Sequence, residues 1–225
     1  MGFNLSSFIS DSELSIKPLN ENYDLSSFTC NDSDLTDFLK NDALNYHRHM
    51  ISKTGLCFWK NEIVGYITFT IDTIGIAKVI INDEFISKYK YPALKIARLA
   101  VDSRFERRGI GKYLLQDAMG KAWSLSENVG CRFILVDSKK DSVPFYTKYG
   151  FSRAILRPKE GKDDYTPMYR DILPIILKIS SHVEGKGDSI ANPIKIHSLK
   201  SEVSGAGSST TNIKLIKLDE NKNTK

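Results

Sequence analysis

The stretch RRGIGKYLL, residues 107–115, decides how this sequence is read. It gathers Arg107, Arg108 and Lys112 around Gly109 and Gly111, where the apolar period of a helix begins. A helix N-terminus already carries partial positive charge, so three cations there weaken the helix unless an anion comes to meet them. Two familiar phosphate loops are excluded. A Walker loop needs a glycine five residues before Gly111 and Ser or Thr after the lysine, but the chain has Glu106 and Tyr113. A Rossmann fingerprint needs a third glycine where Leu114 stands. What remains is a strand, a basic G-x-G turn and a helix whose free N–H groups face a phosphate or pyrophosphate, with an ordinary exposed helix start as the alternative.

Working outward, LKIARLAV (94–101) reads as the strand that runs into the turn, and Ile110, Leu114, Ala118, Ala122 and Leu125 mark the apolar face of the helix that leaves it. CRFILVDS (131–138) is apolar enough for a central strand. Asp141 or Ser142 can cap a short helix with Pro144 in its first turn and Gly150 at its end, and two strands near 152–156 and 166–172 follow. Upstream, LSIKPL (14–19) is a strand. Residues 33–50 form an amphipathic helix behind a Ser33 cap, with His47 and His49 in its last turn. Two strands then meet at a Lys60-Asn61 turn, and DEFISKY (83–89) reads as a short helical piece.

The limits set by composition agree with one α/β domain, residues 12–175, followed by a polar, flexible tail at 181–225 in which IKIHSL and NIKLIKL alternate like strands. Of 225 residues 41% are hydrophobic, and the formal charge of +5 is spread along the chain, which admits an anionic partner without specifying one. Cys30, Cys57 and Cys131 are widely spaced and form no C-x-x-C pair, which fits a reducing cytoplasm and signals neither a disulfide framework nor a zinc site; no metal is expected. The apolar stretch at 172–179 is too short to span a bilayer, so no membrane association is expected.

About thirty residues beyond the basic turn stands PFYTKYGF (144–151), in which Tyr146 is placed to serve as a proton donor or, in the alternative, as a core aromatic. The succession ARLAVDSRFERRGIGKYLL, RFILVDS and FYTKYGF resembles the GNAT superfamily of acetyl-coenzyme A dependent N-acetyltransferases in element order over residues 14–172. The resemblance implies a mixed, mostly antiparallel central sheet with a splayed parallel strand pair and helices on both faces. The family loop is written [QR]-x-x-G-x-[GA]; Gly109 and Gly111 fit it, and Glu106 stands where Gln or Arg is usual.

Carried over residue by residue, the resemblance places Leu99, Ala100 and Val101 along the pantetheine arm and acetyl group, and Arg107, Arg108, Gly109, Ile110, Gly111 and Lys112 around the pyrophosphate. It sets Phe145 beside the cofactor and makes Tyr146 the catalytic donor to the departing thiolate. A closer likeness, in RLAVD, LTDFLKNDALNY and PMY, is to the toxin branch that acetylates aminoacyl-tRNA and is held by ribbon-helix-helix antitoxins; the segment around 81–95 and the C-terminal tail depart from it. As partners this implies an amine acceptor and acetyl-CoA, and admits tRNA, such an antitoxin and a second copy of the chain.

The acceptor has one clue of its own. A lysine amine, with a pKa near ~10.4, needs a base far more than an α-amine near ~8 does. The strand KIARLAV offers Lys95 and Arg98 but no carboxylate, and Asp137 on the next strand could act only as a water relay. An α-amine is therefore favoured. Acetylation of a polyamine or peptide amine, or a non-catalytic module that binds CoA or RNA, are the alternatives.

Overall fold

A computed structural model describes residues 8–75, 79–81, 84–86, 90–154 and 165–176. The chain enters the sheet at β1 (Leu14–Pro18) and then forms the helical segment α1 (Ser33–Asp37), a π-helical turn (Phe38–Asp42) and α2 (Ala43–Arg48). The cap of this segment is Asp32 and not the expected Ser33: the Asp32 carboxylate accepts from the N–H groups of Asp34 and Leu35 at 3.1 and 3.4 Å. Both residue types cap well, and the carboxylate also meets the positive end of the helix dipole.

β2 (Lys53–Trp59) and β3 (Glu62–Ile74) are joined as expected at Lys60-Asn61, whose φ angles of +48° and +67° are the two left-handed residues of a type I′ hairpin turn. β4 (Val79–Ile81) and β5 (Glu84–Ile86) form a small antiparallel ladder. This overturns the helical reading of DEFISKY for Glu84–Ile86, the rest of that stretch lying outside the described residues: so short a run has no helical period to protect it, and local pairing decides its state.

β6 (Tyr91–Val101), α3 (Ile110–Asn128), β7 (Phe133–Lys139), α4 (Val143–Lys148), β8 (Ser152–Arg153) and β9 (Tyr165–Asp171) complete the described chain. Expected strand 152–156 is described only in its first part, and the tail at 181–225 lies outside the described residues. The main sheet has the order β1-β2-β3-β6-β7-β9-β8. Its single parallel pair is β6 with β7; the other pairings are antiparallel.

Helices cover both faces because each strand alternates its side chains. Leu56, Phe58, Tyr66 and Ala100 pack against Phe28, Phe38, Leu39 and Ala43 on the side of α1 and α2. Cys57, Val64, Ile67, Ile96, Ile134 and Val136 pack against Ile110, Leu114, Leu115, Ala118 and Ala122 of α3, the helical face read from the sequence. Tyr66, fully buried, ties the first of these layers to the sheet by donating its hydroxyl to the Leu35 carbonyl at 2.7 Å.

Two features of β6 position the site. Against β3 its register slips between Thr68 and Phe69, so that Arg98 faces Thr68 and Ile96 faces Phe69, with Ala97 as the extra residue of a bulge. Against β7 the pairing runs only from Ala93↔Phe133 to Ile96↔Val136. Past Ile96, β6 remains paired with β3 as far as Val101 but has parted from β7, which pairs on with β9 to Lys139. The expected splayed pair is this fork. Among the described residues no helix is long and apolar enough to cross a membrane.

Candidate active site

The arms of the fork lead to the two motifs singled out in the sequence. β6 runs through Asp102 and a short 3-10 turn (Ser103–Phe105) into the basic loop, and β7 runs into α4. Asp102 is fully buried and caps the turn through the N–H of Arg104 at 3.0 Å, while its carboxylate takes the Arg104 guanidinium at 2.9 and 3.2 Å and the Thr29 N–H at 3.2 Å. Burial alone would raise its pKa, but these hydrogen bonds and the Arg104 charge outweigh it and hold the carboxyl below its usual range. Sequence reading met this residue only as the end of RLAVD; its partner Thr29 is too distant in sequence to be found by spacing.

In the loop, Arg107 sits at φ +60° and Gly109 at φ +95°, two left-handed residues that turn the chain sharply before α3. Left-handed backbone is costly for arginine and free for glycine. Arg107 and Lys112 are exposed, whereas Arg108 is half-buried with its guanidinium carbon 5.4 Å from the centre of the Phe105 ring. The first N–H groups of α3 have no side-chain cap. The loop thus presents uncapped donors and two solvent-facing cations together, which is the chemistry of an anion cradle.

Gly111 has a second duty that the motif alone does not reveal. A β-carbon there would stand 3.1 and 3.2 Å from Cζ and Cε2 of Phe145 and 3.9 Å from Cγ2 of Val101. The glycine therefore lets α4 close down on the start of α3. Phe145 in turn meets the Tyr146 ring edge-on at 5.1 Å, and Tyr146 meets Phe151 at 5.4 Å. Val101, Gly111, Phe145 and Tyr146, read from separate motifs, are thus brought into one chain of contacts at the fork. Leu99 and Val101 lie on the same side as α3, but Ala100 points into the opposite layer beside Phe28, Phe38 and Tyr66, so only its backbone can face the fork.

Tyr146 is 6% exposed, and burial pushes its phenol well above the ordinary value. The hydroxyl is consequently neutral at any physiological pH and carries the proton that a donor needs. Asp137, considered as a relay, accepts from Lys95 Nζ at 2.8 Å, and Asp72 takes the same ammonium at 3.1 Å. Burial opposes the Lys95 charge, yet these two carboxylates hold its pKa above the usual lysine value. Arg98 lies flat on the other layer, its guanidinium carbon 3.8 Å from the centre of the Phe38 ring. His47 accepts the Thr54 N–H at 3.2 Å and His49 meets the Asn45 carbonyl at 2.9 Å, so both belong to the helix end. Among the described residues no group of three or more His, Cys, Asp or Glu could hold a metal ion.

The sequence profile of the acetyltransferase (GNAT) family matches residues 18–151, which contain the fork, the basic loop and Tyr146. The chain belongs to the acetyltransferase (GNAT) family. Its enzymes draw their acetyl group from acetyl-CoA. A tRNA-acetylating toxin of Mycobacterium tuberculosis is 28% identical over 129 residues, covering 57% of this chain and 78% of the toxin. The fold matches that of AtaT complexed with acetyl-methionyl-tRNAfMet, with a TM-score of 0.64, 24% identity, and coverage of 74% of this chain and 99% of that one. It also matches a tyrosine-to-phenylalanine mutant of AtaT bound to the C-terminus of the antitoxin AtaR and acetyl-CoA, at a TM-score of 0.58 and 25% identity, covering 74% of this chain and 98% of that one.

Proposed function

We propose that this acetyltransferase moves an acetyl group from acetyl-CoA to the α-amine of an aminoacyl-tRNA, acting in the cytoplasm as the toxin of a toxin–antitoxin pair. The observation that carries the reading is the convergence at the fork: the uncapped start of α3 and the buried Tyr146 are coupled through Phe145 seated on Gly111. Arg107 and Lys112, exposed beside the loop, balance the pyrophosphate of the co-substrate, and backbone N–H groups of residues 107–112 bind its oxygens. Backbone N–H on the free arm of β6, among residues Leu99, Ala100 and Val101, polarises the thioester carbonyl.

In the reaction the neutral amine attacks the carbonyl carbon, the C–N bond forms and the C–S bond breaks. The departing sulfur takes the Tyr146 proton, the new ammonium loses one proton to water, and the phenol is restored from solvent. Against a thiol near ~8.5, a phenol that burial holds well above the ordinary ~10 is a clearly uphill donor, so the proton has to pass as the C–S bond breaks and not after it. With Asp137 committed to Lys95, no carboxylate of the strand pair among the described residues is left to strip a proton from a lysine. That favours an α-amine, of which a far larger fraction is neutral near pH 7 than of a lysine amine. The similarity to the tRNA-acetylating toxin and to AtaT supports tRNA as the carrier of that amine, and the net charge of +5 suits an RNA partner. By the same likeness the partner in the cell is a ribbon-helix-helix antitoxin.

The test is transfer of labelled acetyl from acetyl-CoA to a panel of charged tRNAs, polyamines and peptides. Label on the aminoacyl group of one or more tRNAs, with a loss of about 10²- to 10⁴-fold in Tyr146→Phe, is the expected result. Label on polyamine or peptide amines with none on tRNA would overturn the acceptor, and a fully active Tyr146→Phe would overturn the donor.

A further inference from the structure

Glu106 places a negative charge at the entrance of a loop read as a pyrophosphate cradle, directly before Arg107. Such a charge repels the ligand unless something governs where it lies. The structure supplies that something from 75 residues away: the Asn31 side-chain amide donates Nδ2–H to Glu106 Oε1 at 2.7 Å. The amide orientation is fixed by chemistry, since only its N–H₂ can face a carboxylate, and its oxygen is left to accept the Ser103 hydroxyl at 3.4 Å.

Asn31 is itself held on both sides. Thr29 donates its N–H to the buried Asp102 and accepts the Ser103 N–H at 2.9 Å, which pins residues 29–31 along the arm that follows β6. The next residue, Asp32, caps α1 and also pairs with Lys139 at the far end of β7. Burial would raise the Asp32 carboxyl, but the Lys139 ammonium and the helix N–H groups hold it below its usual range. Residues 29–32 therefore reach from one arm of the fork to the other, and Asn31, though exposed, projects from backbone tethered on both sides by Thr29 and Asp32.

We propose that Asn31 is a positioning residue for acetyl-CoA, one that clamps the Glu106 carboxylate against the 29–32 segment and so keeps its charge off the phosphate-binding loop. The inference rests on the reading of residues 107–112 as the pyrophosphate site. It accounts for how a chain with Glu where the family loop has Gln or Arg keeps a working cradle: the charge is not removed but anchored.

Calorimetric titration of acetyl-CoA into the full chain, at low and at moderate salt, tests it with three variants. Asn31→Ala frees the carboxylate and is expected to raise Kd about 3- to 10-fold at low salt, an effect that shrinks as salt screens it. Glu106→Gln should bind as tightly as the wild type or more so. The double variant should return to within about twofold of Glu106→Gln, because an uncharged side chain needs no clamp. An Asn31→Ala variant that binds like the wild type overturns the proposal, and so does a loss that persists undiminished beside Glu106→Gln, which would mark Asn31 as a mere prop of the backbone. A wild-type chain that binds no acetyl-CoA would instead overturn the loop reading on which the inference stands.

Discussion

Phe145 rests on Gly111 so closely that a methyl group on the glycine would lie 3.1 Å from the ring. Gly111→Ala should therefore push α4 from the start of α3 by a few tenths of an ångström, moving Phe145 and Tyr146 together. The expected outcome is a fall in kcat of about tenfold or more with the fold retained, since misplacement of this size at a reacting group is expensive. Steady-state kinetics beside a circular-dichroism melt will check it; an unchanged kcat would mean that α4 tolerates the shift.

Gly109 fails differently when changed. Its neighbour across the missing β-carbon is the exposed Phe8 ring, which can swing aside, so backbone conformation and not space sets the cost. At φ +95°, Gly109→Ala should lose about 1–3 kcal/mol of stability and weaken acetyl-CoA binding as the loop relaxes. Denaturant unfolding and calorimetry give both numbers.

Tyr146 predicts the shape of a pH profile. Burial disfavours the phenolate and raises the pKa, so the donor form persists past the ordinary tyrosine value of ~10. The rate of the chemical step should show no falling alkaline limb up to about pH 9.5. A clear loss between pH 8 and 9.5 would assign the donor to another group.

Asp102 carries a stability prediction with a definite sign. Its folded-state pKa is depressed, so its contribution is present above the unfolded value near ~3.9 and is lost as pH falls through the lower folded value. Asp102→Asn should cost about 2–3 kcal/mol at neutral pH by removing charge from a buried acceptor of several hydrogen bonds. Its penalty should shrink at an acidic pH below the usual carboxylate range, where the wild-type carboxyl takes up its proton. Urea titrations at both pH values measure the difference.

Tyr66→Phe isolates a single buried contact. Losing the 2.7 Å bond to the Leu35 carbonyl should lower stability by about 1 kcal/mol, or roughly 2–4 °C in Tm for a domain of this size.

What the sequence disclosed and what it withheld follow from the range of the interactions. The α3 face and the Lys60-Asn61 turn were legible because they depend on residues a few positions apart. The basic G-x-G loop and Tyr146 are legible as motifs, and their mutual placement is legible only through the family likeness. The π-helical turn at Phe38–Asp42 carries no local mark: it answers to packing of Phe38 on Tyr66 and Arg98 from other strands. The sequence reads Glu84–Ile86 as helical and leaves Val79–Ile81 without a reading, because three-residue strands leave no period to count. The Asn31–Glu106 bond and the Asp32–Lys139 pair join segments far apart in the chain, and nothing in either segment alone announces the other.

The fork has a consequence for how the molecule breathes. Among the described residues, four facing residue pairs, Ala93↔Phe133 to Ile96↔Val136, make the strand ladder at the seam between the half of the sheet built from β1, β2, β3 and β6 and the half built from β7, β9 and β8. Within the halves the β2–β3, β3–β6 and β7–β9 ladders are antiparallel and longer. Such a seam is the natural border between two cooperative units in hydrogen exchange. The halves should unzip there well below the free energy of global unfolding, and a ligand lying between the arms would act as the missing length of the seam, joining two partly independent units into one.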